Sequence, residues 1–184
     1  MKTIALAIAF CFLVNITHGQ PQVLTQDKFL EQLKLSPCIL IDNNHSIIQS
    51  QDIQLNRIWN GNTCKSNIKN NSRKPISLSS IVLFDMTKHQ LPANAMVYGE
   101  GFQMLHQNGG TLARRENIGS YPDNKHYQIP EPNGMPTAYG ALEIGIATNN
   151  HLLLGFSSCY KFIGRISYDS LRMQISFDAE GLTL

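Results

Sequence analysis

The run Ala141-Leu-Glu-Ile-Gly-Ile-Ala-Thr-Asn-Asn-His-Leu-Leu-Leu-Gly-Phe-Ser-Ser158 gives the clearest indication of the fold. Two segments rich in β-forming residues flank Asn149-Asn150, a two-residue turn whose residues tolerate a positive φ. The arrangement is repeated by residues 161–168 and 171–178 around Asp169-Ser170. The pattern predicts a four-stranded antiparallel meander.

Shorter β-rich runs precede this region. Residues 38–41, 46–49 and 53–59 are separated by Asn, Asp and Gly, and residues 76–84 end in a fully apolar run that predicts burial on both faces. Residues 60–74 are polar and show no periodicity, so they are interpreted as an exposed loop. The predicted fold class is mainly β, an antiparallel β-sandwich with a short N-terminal helix.

That helix is predicted to begin at Thr25. Thr25 is a favoured capping residue and Asp27 lies in the first turn, where a carboxylate is stabilising. Phe29, Leu30 and Leu33 follow at helical spacing. We therefore expect a short amphipathic helix before the strands.

A secretory signal peptide is predicted at the N-terminus. Lys2 supplies its charge, residues 4–14 are its apolar run, and small residues precede a cleavage site before Gln20. The apolar run is far shorter than the ~20 residues of a membrane-spanning helix. We therefore expect a protein that is secreted or in the lumen of the secretory pathway, with no membrane contact after cleavage.

The 184 residues suffice for one domain with a sizeable core. We divide the chain into a signal peptide (1–19), an N-terminal helical segment (20–35) and a β-sandwich domain (36–184). A new strand is predicted to begin after Asp178, so we expect the domain to be truncated at its C-terminal end.

The charge of the chain argues against nucleic acid as a partner. Fifteen Lys and Arg against 13 Asp and Glu give a formal net charge of +2. The densest basic segment, residues 65–74, is interleaved with Asn and Ser. The sequence therefore shows no basic footprint of a nucleic-acid-binding protein.

A secreted chain can carry disulfides and glycans. After signal cleavage Cys38, Cys64 and Cys159 remain, and we predict a Cys38–Cys64 disulfide, with Cys159 buried in a strand. No close Cys or His pair has zinc-ligand spacing, and no metal or cofactor is expected. Asn44 and Asn70 each stand two residues before a Ser and are candidate glycosylation sites.

The stretch Tyr98-Gly-Glu-Gly-Phe-Gln-Met-Leu-His-Gln-Asn-Gly-Gly-Thr-Leu112 separates two halves of different character. Its four glycines mark places where the backbone needs a positive φ or close approach to another group. One interpretation is a tight connection followed by a helical turn that ends at Gly109. The other is a rigid polar loop that faces a ligand or a partner domain.

Several catalytic motifs are absent from the sequence: HExxH, GxSxG, the phosphate-binding loop and the dinucleotide fingerprint. Ser120, Asp123 and His126 are close in sequence, but a triad is defined by geometry and not by local spacing. We interpret Asp123 and His126 as residues that hold their loop in place.

Glycoside hydrolysis requires two carboxylates, and sugars stack on aromatic faces. The carboxylates that qualify by type are Glu100, Asp123, Glu131 and Glu143, and nothing in the sequence pairs any two of them. The aromatic residues that could form a sugar platform are Trp59, Tyr98, Phe102, Tyr121, Tyr127 and Tyr139. Structural roles remain the alternative for both sets.

Three segments carry a family resemblance. They read Gly-Glu-Gly-Phe-Gln-Met-Leu-His-Gln-Asn-Gly-Gly-Thr-Leu (99–112), Tyr-Pro-Asp-Asn-Lys-His-Tyr-Gln-Ile-Pro (121–130) and Ala-Tyr-Gly-Ala-Leu-Glu-Ile-Gly (138–145). Together they resemble the non-catalytic N-terminal β-sandwich of secreted glycoside hydrolases of the α-galactosidase and raffinose-synthase type. The similarity covers roughly residues 36–184.

The resemblance implies that the sandwich precedes a (β/α)₈ barrel, which carries the Asp nucleophile and the Asp acid/base of a retaining mechanism. This chain matches the sandwich only, so no catalytic residue is assigned. The isolated chain is expected to be inactive, with the missing barrel as its partner. The candidate carbohydrate-contact or barrel-interface residues are Tyr98, Glu100, Phe102, Gln103, Asp123, His126 and Tyr127.

Two other functions remain open at this point. The chain could be a standalone secreted carbohydrate-binding, lectin-like sandwich that uses the aromatic and amide residues of the central loops. It could also be a small secreted structural domain without a ligand.

Overall fold

The computed structural model describes residues 25–49, 51–103, 106–119, 126–147, 150–157 and 161–184. Within these ranges the helix α1 (Gln26–Leu35) precedes the strands. The strands are β1 (Ile39–Asp42), β2 (Ile53–Asn60), β3 (Thr63–Asn70), β4 (Ser77–Thr87), β5 (Met96–Glu100), β6 (His106–Gly110), β7 (Arg115–Gly119), β8 (Thr137–Tyr139), β9 (Ala141–Ala147), β10 (Asn150–Gly155), β11 (Gly164–Tyr168) and β12 (Arg172–Thr183).

The strands form two five-stranded antiparallel sheets and a separate hairpin. Sheet I has the order β1-β4-β12-β11-β8, sheet II has the order β10-β9-β5-β6-β7, and β2 pairs with β3. Apolar side chains of both sheets share one core, including Ile166 and Met173 of sheet I and Leu142 and Ile144 of sheet II. The predicted fold class, an antiparallel β-sandwich with one short helix, is confirmed.

The predicted four-stranded meander is wrong in one respect. Strands β9 and β10 form one hairpin in sheet II, and β11 and β12 form the other in sheet I. The chain changes sheets between Gly155 and Gly164. Turn residues determine which neighbouring strands pair, but they carry no information about the sheet that the following hairpin joins.

Helix α1 begins where the sequence predicted it. The backbone N–H of Lys28 donates to Thr25 Oγ1 at 3.4 Å, and Asp27 lies in the first turn. Phe29 and Leu33 are buried in the shared core. The helix is therefore held to the sandwich by its apolar stripe.

Residues 60–74 are not the predicted loop, because most of them form β3. Side chains in β2 and β3 alternate between half-buried and exposed, with Leu55 and Trp59 of β2 and Cys64 and Ile68 of β3 on the half-buried side. Gly61, with φ of 57°, lies in the two-residue turn. The alternation is visible in the sequence, but Cys64 and Ile68 are too few to stand out among polar neighbours.

The segment after Asp178 continues β12 and does not begin a new strand. A bulge shifts the register between Asp178 and Leu182, with Glu180 and Gly181 at positive φ. Beyond it, Leu182 pairs with Leu78 beside a second, smaller apolar cluster. The last residues of β12 therefore pack against this smaller cluster through Leu182.

The predicted disulfide is wrong: Cys38 and Cys64 are both free thiols. Cys38 packs against the smaller cluster, whereas Cys64 lies opposite Trp59 in the hairpin and packs against the main core. The two side chains therefore face different parts of the interior. Burial raises the pKa of the Cys38 thiol, and the nearby Arg57 opposes this effect.

The described part of the chain contains no helix with both the length and the apolar character needed to cross a bilayer.

Candidate functional site

The glycine-rich stretch forms the β5–β6 hairpin. Gly99 pairs with Asn108 and Glu100 with Gln107. The predicted helical turn before Gly109 is wrong, because the strand β6 spans His106–Gly110. The glycines serve close approach: a Cβ on Gly99 would lie 2.6 Å from the Cβ of Ala138.

Four rings meet beside this hairpin and form what we call the aromatic cluster: Phe102, His126, Tyr127 and Tyr139. The ring centroid of Phe102 lies 5.5 Å from that of Tyr127 and 5.3 Å from that of Tyr139. The rings of His126 and Tyr127 are 4.6 Å apart, edge to face. These are favourable aromatic geometries. Phe102 is 42% exposed and Tyr127 is 38% exposed, so the cluster presents an aromatic surface to solvent.

The remaining predicted contact residues are exposed on or after β5, or lie outside the described ranges. Tyr98 and Glu100 alternate along β5 with buried residues and face outward, and Gln103 is exposed next to Phe102. The Oε2 atom of Glu100 lies beside Gly140, 3.6 Å from where a Cβ would be. Asp123 lies outside the described residues. The structure thus brings Phe102, His126 and Tyr127 together and places Glu100 and Gln103 next to them in the chain.

Trp59, a member of the predicted aromatic platform, is not part of the aromatic cluster. Trp59 is half-buried against the core, with its ring 5.9 Å from that of Phe84 and Lys34 Nζ 5.7 Å above it. Tyr121 lies outside the described residues. Trp59 therefore has the packing role that was the alternative for each aromatic residue.

Buried polar groups join the hairpin to the strand beneath the cluster. Asn108 is buried and donates from Nδ2 to the backbone oxygen of Thr137 at 2.7 Å. The hydroxyl of Thr137 donates to Pro130 O at 3.0 Å and lies 2.8 Å from the hydroxyl of Ser167. These bonds connect β6, β8, β11 and the loop that follows Tyr127. They hold the three segments of the cluster in a fixed relation.

Two of the candidate carboxylates contact basic side chains. Glu131 pairs with Arg115, and Glu143 Oε1 lies 2.9 Å from His151 Nδ1 on the outer face of sheet II. Both pairs link neighbouring segments of the fold. This is the structural role that the sequence left open for these residues.

A concave feature, separate from the rings just described, lies on the outer face of sheet I. It is a groove of about 590 Å³ with a floor of side chains from β4, β11 and β12, among them Arg165, Ser167, Gln174 and Ser176. Its walls are the β1 region on one side and residues 130–133 on the other. These residues do not stand out in the sequence, because polar side chains at alternate positions of β11 and β12 are typical of a solvent-facing strand surface.

One arginine of the groove is fully engaged within the fold. Arg172 donates from Nε and Nη2 to the two carboxylate oxygens of Asp85, each at 2.8 Å. Gln174 Nε2 donates to the same carboxylate at 3.1 Å. The hydrogen bonds that Arg172 donates to Asp85 raise the pKa of Arg172. This pair therefore stabilises the end of the groove.

The two candidate glycosylation sites differ in their surroundings. Asn44 is exposed in the turn after β1. Asn70 is half-buried and donates from Nδ2 to Lys74 O at 2.8 Å and to Leu184 O at 3.1 Å. A glycan on Asn70 would disrupt these bonds, whereas Asn44 is exposed.

Comparison with known proteins gives no relative for this chain. No family model matches it, and neither the curated proteins nor the solved structures contain a match. Across the described ranges, no three His, Cys, Asp or Glu side chains are grouped as metal ligands would be.

Proposed function

We propose that this chain is the non-catalytic β-sandwich of a secreted α-galactosidase-like glycoside hydrolase, and that its aromatic cluster contacts the catalytic barrel beside the sugar site. One observation supports this proposal most. Phe102, Tyr127 and Tyr139 come from the three separate segments that resemble the family, and the ring of Phe102 contacts both of the others. Residues far apart in the chain thus contribute to a single surface.

The exposure of that surface fits a contact with another domain. Aromatic residues are enriched at interfaces because they bury a large apolar area. Phe102 and Tyr127 leave about two fifths of their surface in solvent, with Glu100 and Gln103 at the polar margin. A barrel that covers these rings would bury them and leave the polar groups near the sugar.

The transcript provides the first test. We expect the reading frame that encodes this chain to continue into a (β/α)₈ barrel, which takes about 250 residues. The isolated sandwich is expected to give no turnover of aryl α-galactosides. A frame without a barrel in every transcript, or turnover by the sandwich alone, would contradict the proposal.

The second test uses the full-length enzyme. Replacing Phe102 and Tyr127 by Ala is expected to lower both the melting temperature and the turnover of an aryl α-galactoside. Leu171→Ala is the matched control, since Leu171 is a large exposed apolar residue in the turn between β11 and β12, at the opposite end of β11 from the residue that pairs with Tyr139. Equal behaviour of the control and the double variant would exclude the cluster as the interface.

A standalone carbohydrate-binding sandwich is the second candidate. It is favoured by the same exposed pair, Phe102 and Tyr127, next to the amide of Gln103, because sugars bind to aromatic faces with polar groups at their edge. In this case a glycan array is expected to show binding that Tyr127→Ala abolishes and Leu171→Ala preserves. An array without binding would count against this candidate.

A further inference from the structure

The groove on the outer face of sheet I has features of a ligand site. Its volume of about 590 Å³ is within the range of small-molecule sites, about 300–1,000 Å³. The floor is polar, whereas Ile39 and Ile41 of β1 and Val82 of β4 supply an apolar side. The groove therefore suits a ligand with both polar and apolar surfaces.

Arg165 is the unusual residue of the floor. Its side chain is only 12% exposed, and its nearest acidic partner, Asp178 Oδ2, lies 3.9 Å away, beyond hydrogen-bonding distance. Among the described residues, no side chain or backbone oxygen accepts a hydrogen bond from its guanidinium. The nitrogen atoms of this guanidinium are not among the buried polar atoms that lack a partner, so they reach solvent where Arg165 lines the groove, and no acceptor in the described part of the chain occupies their donors. The guanidinium of Arg165 can therefore bind an anion that enters the groove.

The neighbours of Arg165 add hydroxyl groups. In the cross-strand register Arg165 pairs with Ser176 of β12, which in turn pairs with Val82 of β4. The hydroxyl of Ser176 has no hydrogen-bond partner in the described part of the chain. Ser167, two residues along β11, lines the same floor. Arg165, Ser176 and Val82 thus place a cation, a hydroxyl and an aliphatic side chain next to one another across the sheet.

We propose that this groove binds a saccharide that carries a carboxylate. The guanidinium of Arg165 accepts the carboxylate in a paired geometry, for which arginine is suited. Ser176 hydrogen-bonds ring hydroxyls, and the C–H face of the sugar packs on Val82 and Ile39. A neutral saccharide would leave the donors of Arg165 unused. The groove lies next to the aromatic cluster, because Tyr139 pairs with Arg165 in the register of β8 and β11. The inference nevertheless does not rest on the proposed role of the sandwich.

The test uses trigalacturonate and its methyl ester, which differ in the charge of the carboxyl groups. Titration calorimetry on the purified chain is expected to show binding of the acid that weakens as salt is raised, and binding of the ester at least about tenfold weaker. Equal affinity for acid and ester would overturn the proposal. Competition by inorganic sulfate as effective as that by trigalacturonate would also overturn it, because the groove would then hold an anion without recognising the sugar.

Three variants assign the binding to the groove. Arg165→Gln is expected to abolish binding, and Asp178→Asn to strengthen it several-fold, because Asp178 repels the incoming carboxylate. Arg114→Gln makes the same charge change at an arginine whose side chain is 81% exposed and which lies outside the groove, so it is expected to leave affinity unchanged. Arg165→Lys keeps the charge and loses the paired geometry, so it is expected to weaken binding without abolishing it.

Folding is checked by circular dichroism for each variant. If Arg165→Gln is unfolded, the comparison of Arg165→Lys and Asp178→Asn with the original chain decides the question, since their effects are expected to have opposite signs. An unchanged affinity in both of these folded variants would contradict the assignment.

Discussion

Gly110 occupies a backbone position that other residues tolerate poorly. Its φ is 97°, and a Cβ would lie 2.8 Å from the backbone nitrogen of Glu116 and even closer to the carbonyl oxygen of Arg114. These are backbone atoms of the following turn, which cannot move aside as a flexible side chain can. The positive φ expected for a glycine of this stretch is present here because the β6–β7 turn folds back on the strand.

We expect Gly110→Ala to lower the free energy of unfolding by about 3 kcal/mol or more, since strain and a steric clash add. Gly61→Ala is the matched control: φ there is 57°, but nothing lies within 4 Å of the new methyl group. Its expected cost is about 1–2 kcal/mol, from φ alone. Urea unfolding measures both, and equal costs would show that the turn relaxes around the methyl group.

His89 is a single residue that is expected to make the free energy of unfolding depend on pH. Its side chain is buried, with Nε2 2.8 Å from Asp169 O and Nδ1 without a partner. Burial lowers the pKa of His89, an effect that the interactions with Asp169 partly oppose. The unfolded chain therefore takes up a proton at higher pH than the folded chain, whose imidazole stays neutral.

The free energy of unfolding is expected to fall as the pH drops below about 6.5, the ordinary histidine value, and to level off below the folded pKa. His89→Gln removes this contribution, so its stability should change less between pH 7 and pH 5. His45→Asn is the control, at an exposed histidine with φ of 60° that Asn tolerates. Parallel pH profiles for His89→Gln and the original chain would contradict the expectation.

At the scale of elements, α1 is held by its buried stripe. Phe29 and Leu33 enter the shared core, whereas Leu35 is 85% exposed on the same helix. We expect Phe29→Ala to cost about 3–5 kcal/mol, because it leaves a cavity between helix and sandwich. Leu35→Ala should change stability by no more than about 0.5 kcal/mol. Chemical denaturation of both variants distinguishes a docked helix from one that merely lies on the surface.

Elements were predictable where short-range chemistry specifies them. Thr25, Asp27 and the spacing of Phe29 and Leu33 were sufficient for α1. Strand β3 was missed, because its half-buried side includes Ser66 and Asn70 and so lacks a strong apolar alternation. The β5–β6 hairpin was also missed. Its glycines are spaced to fit Ala138 and the β6–β7 turn, which are contacts that no local pattern records.

At the scale of the whole molecule, the sandwich keeps its cysteines apart. Cys38 and Cys64 pack against two different apolar clusters. In a chain with Cys159→Ser we therefore expect both thiols to be alkylated after denaturation without reductant. In the native state Cys38 should react more slowly than Cys64, because burial raises its pKa. A bridged peptide in a non-reducing digest would contradict the free thiols.

The candidate sites illustrate what a sequence reveals at this scale. The aromatic cluster could be anticipated, because Phe102 and Tyr127 lie in distinctive segments. The groove could not, since Arg165 and Ser176 look like ordinary outward residues of an antiparallel sheet. Arg165 and Ser176 are largely buried because the walls of the groove rise beside them, and these walls come from residues 39–47 and 130–133.

The position of β12 between β4 and β11 has a consequence for biosynthesis. All five strands of sheet II lie within residues 96–155, so this sheet can form while the chain is still being made. Sheet I requires β12, which follows every other strand, to join β4 to β11. Until it emerges from the ribosome, the apolar β4 has no partner on one edge. The nascent sandwich is thus expected to depend on chaperones until β12 is available, at a stage when sheet II is already in place.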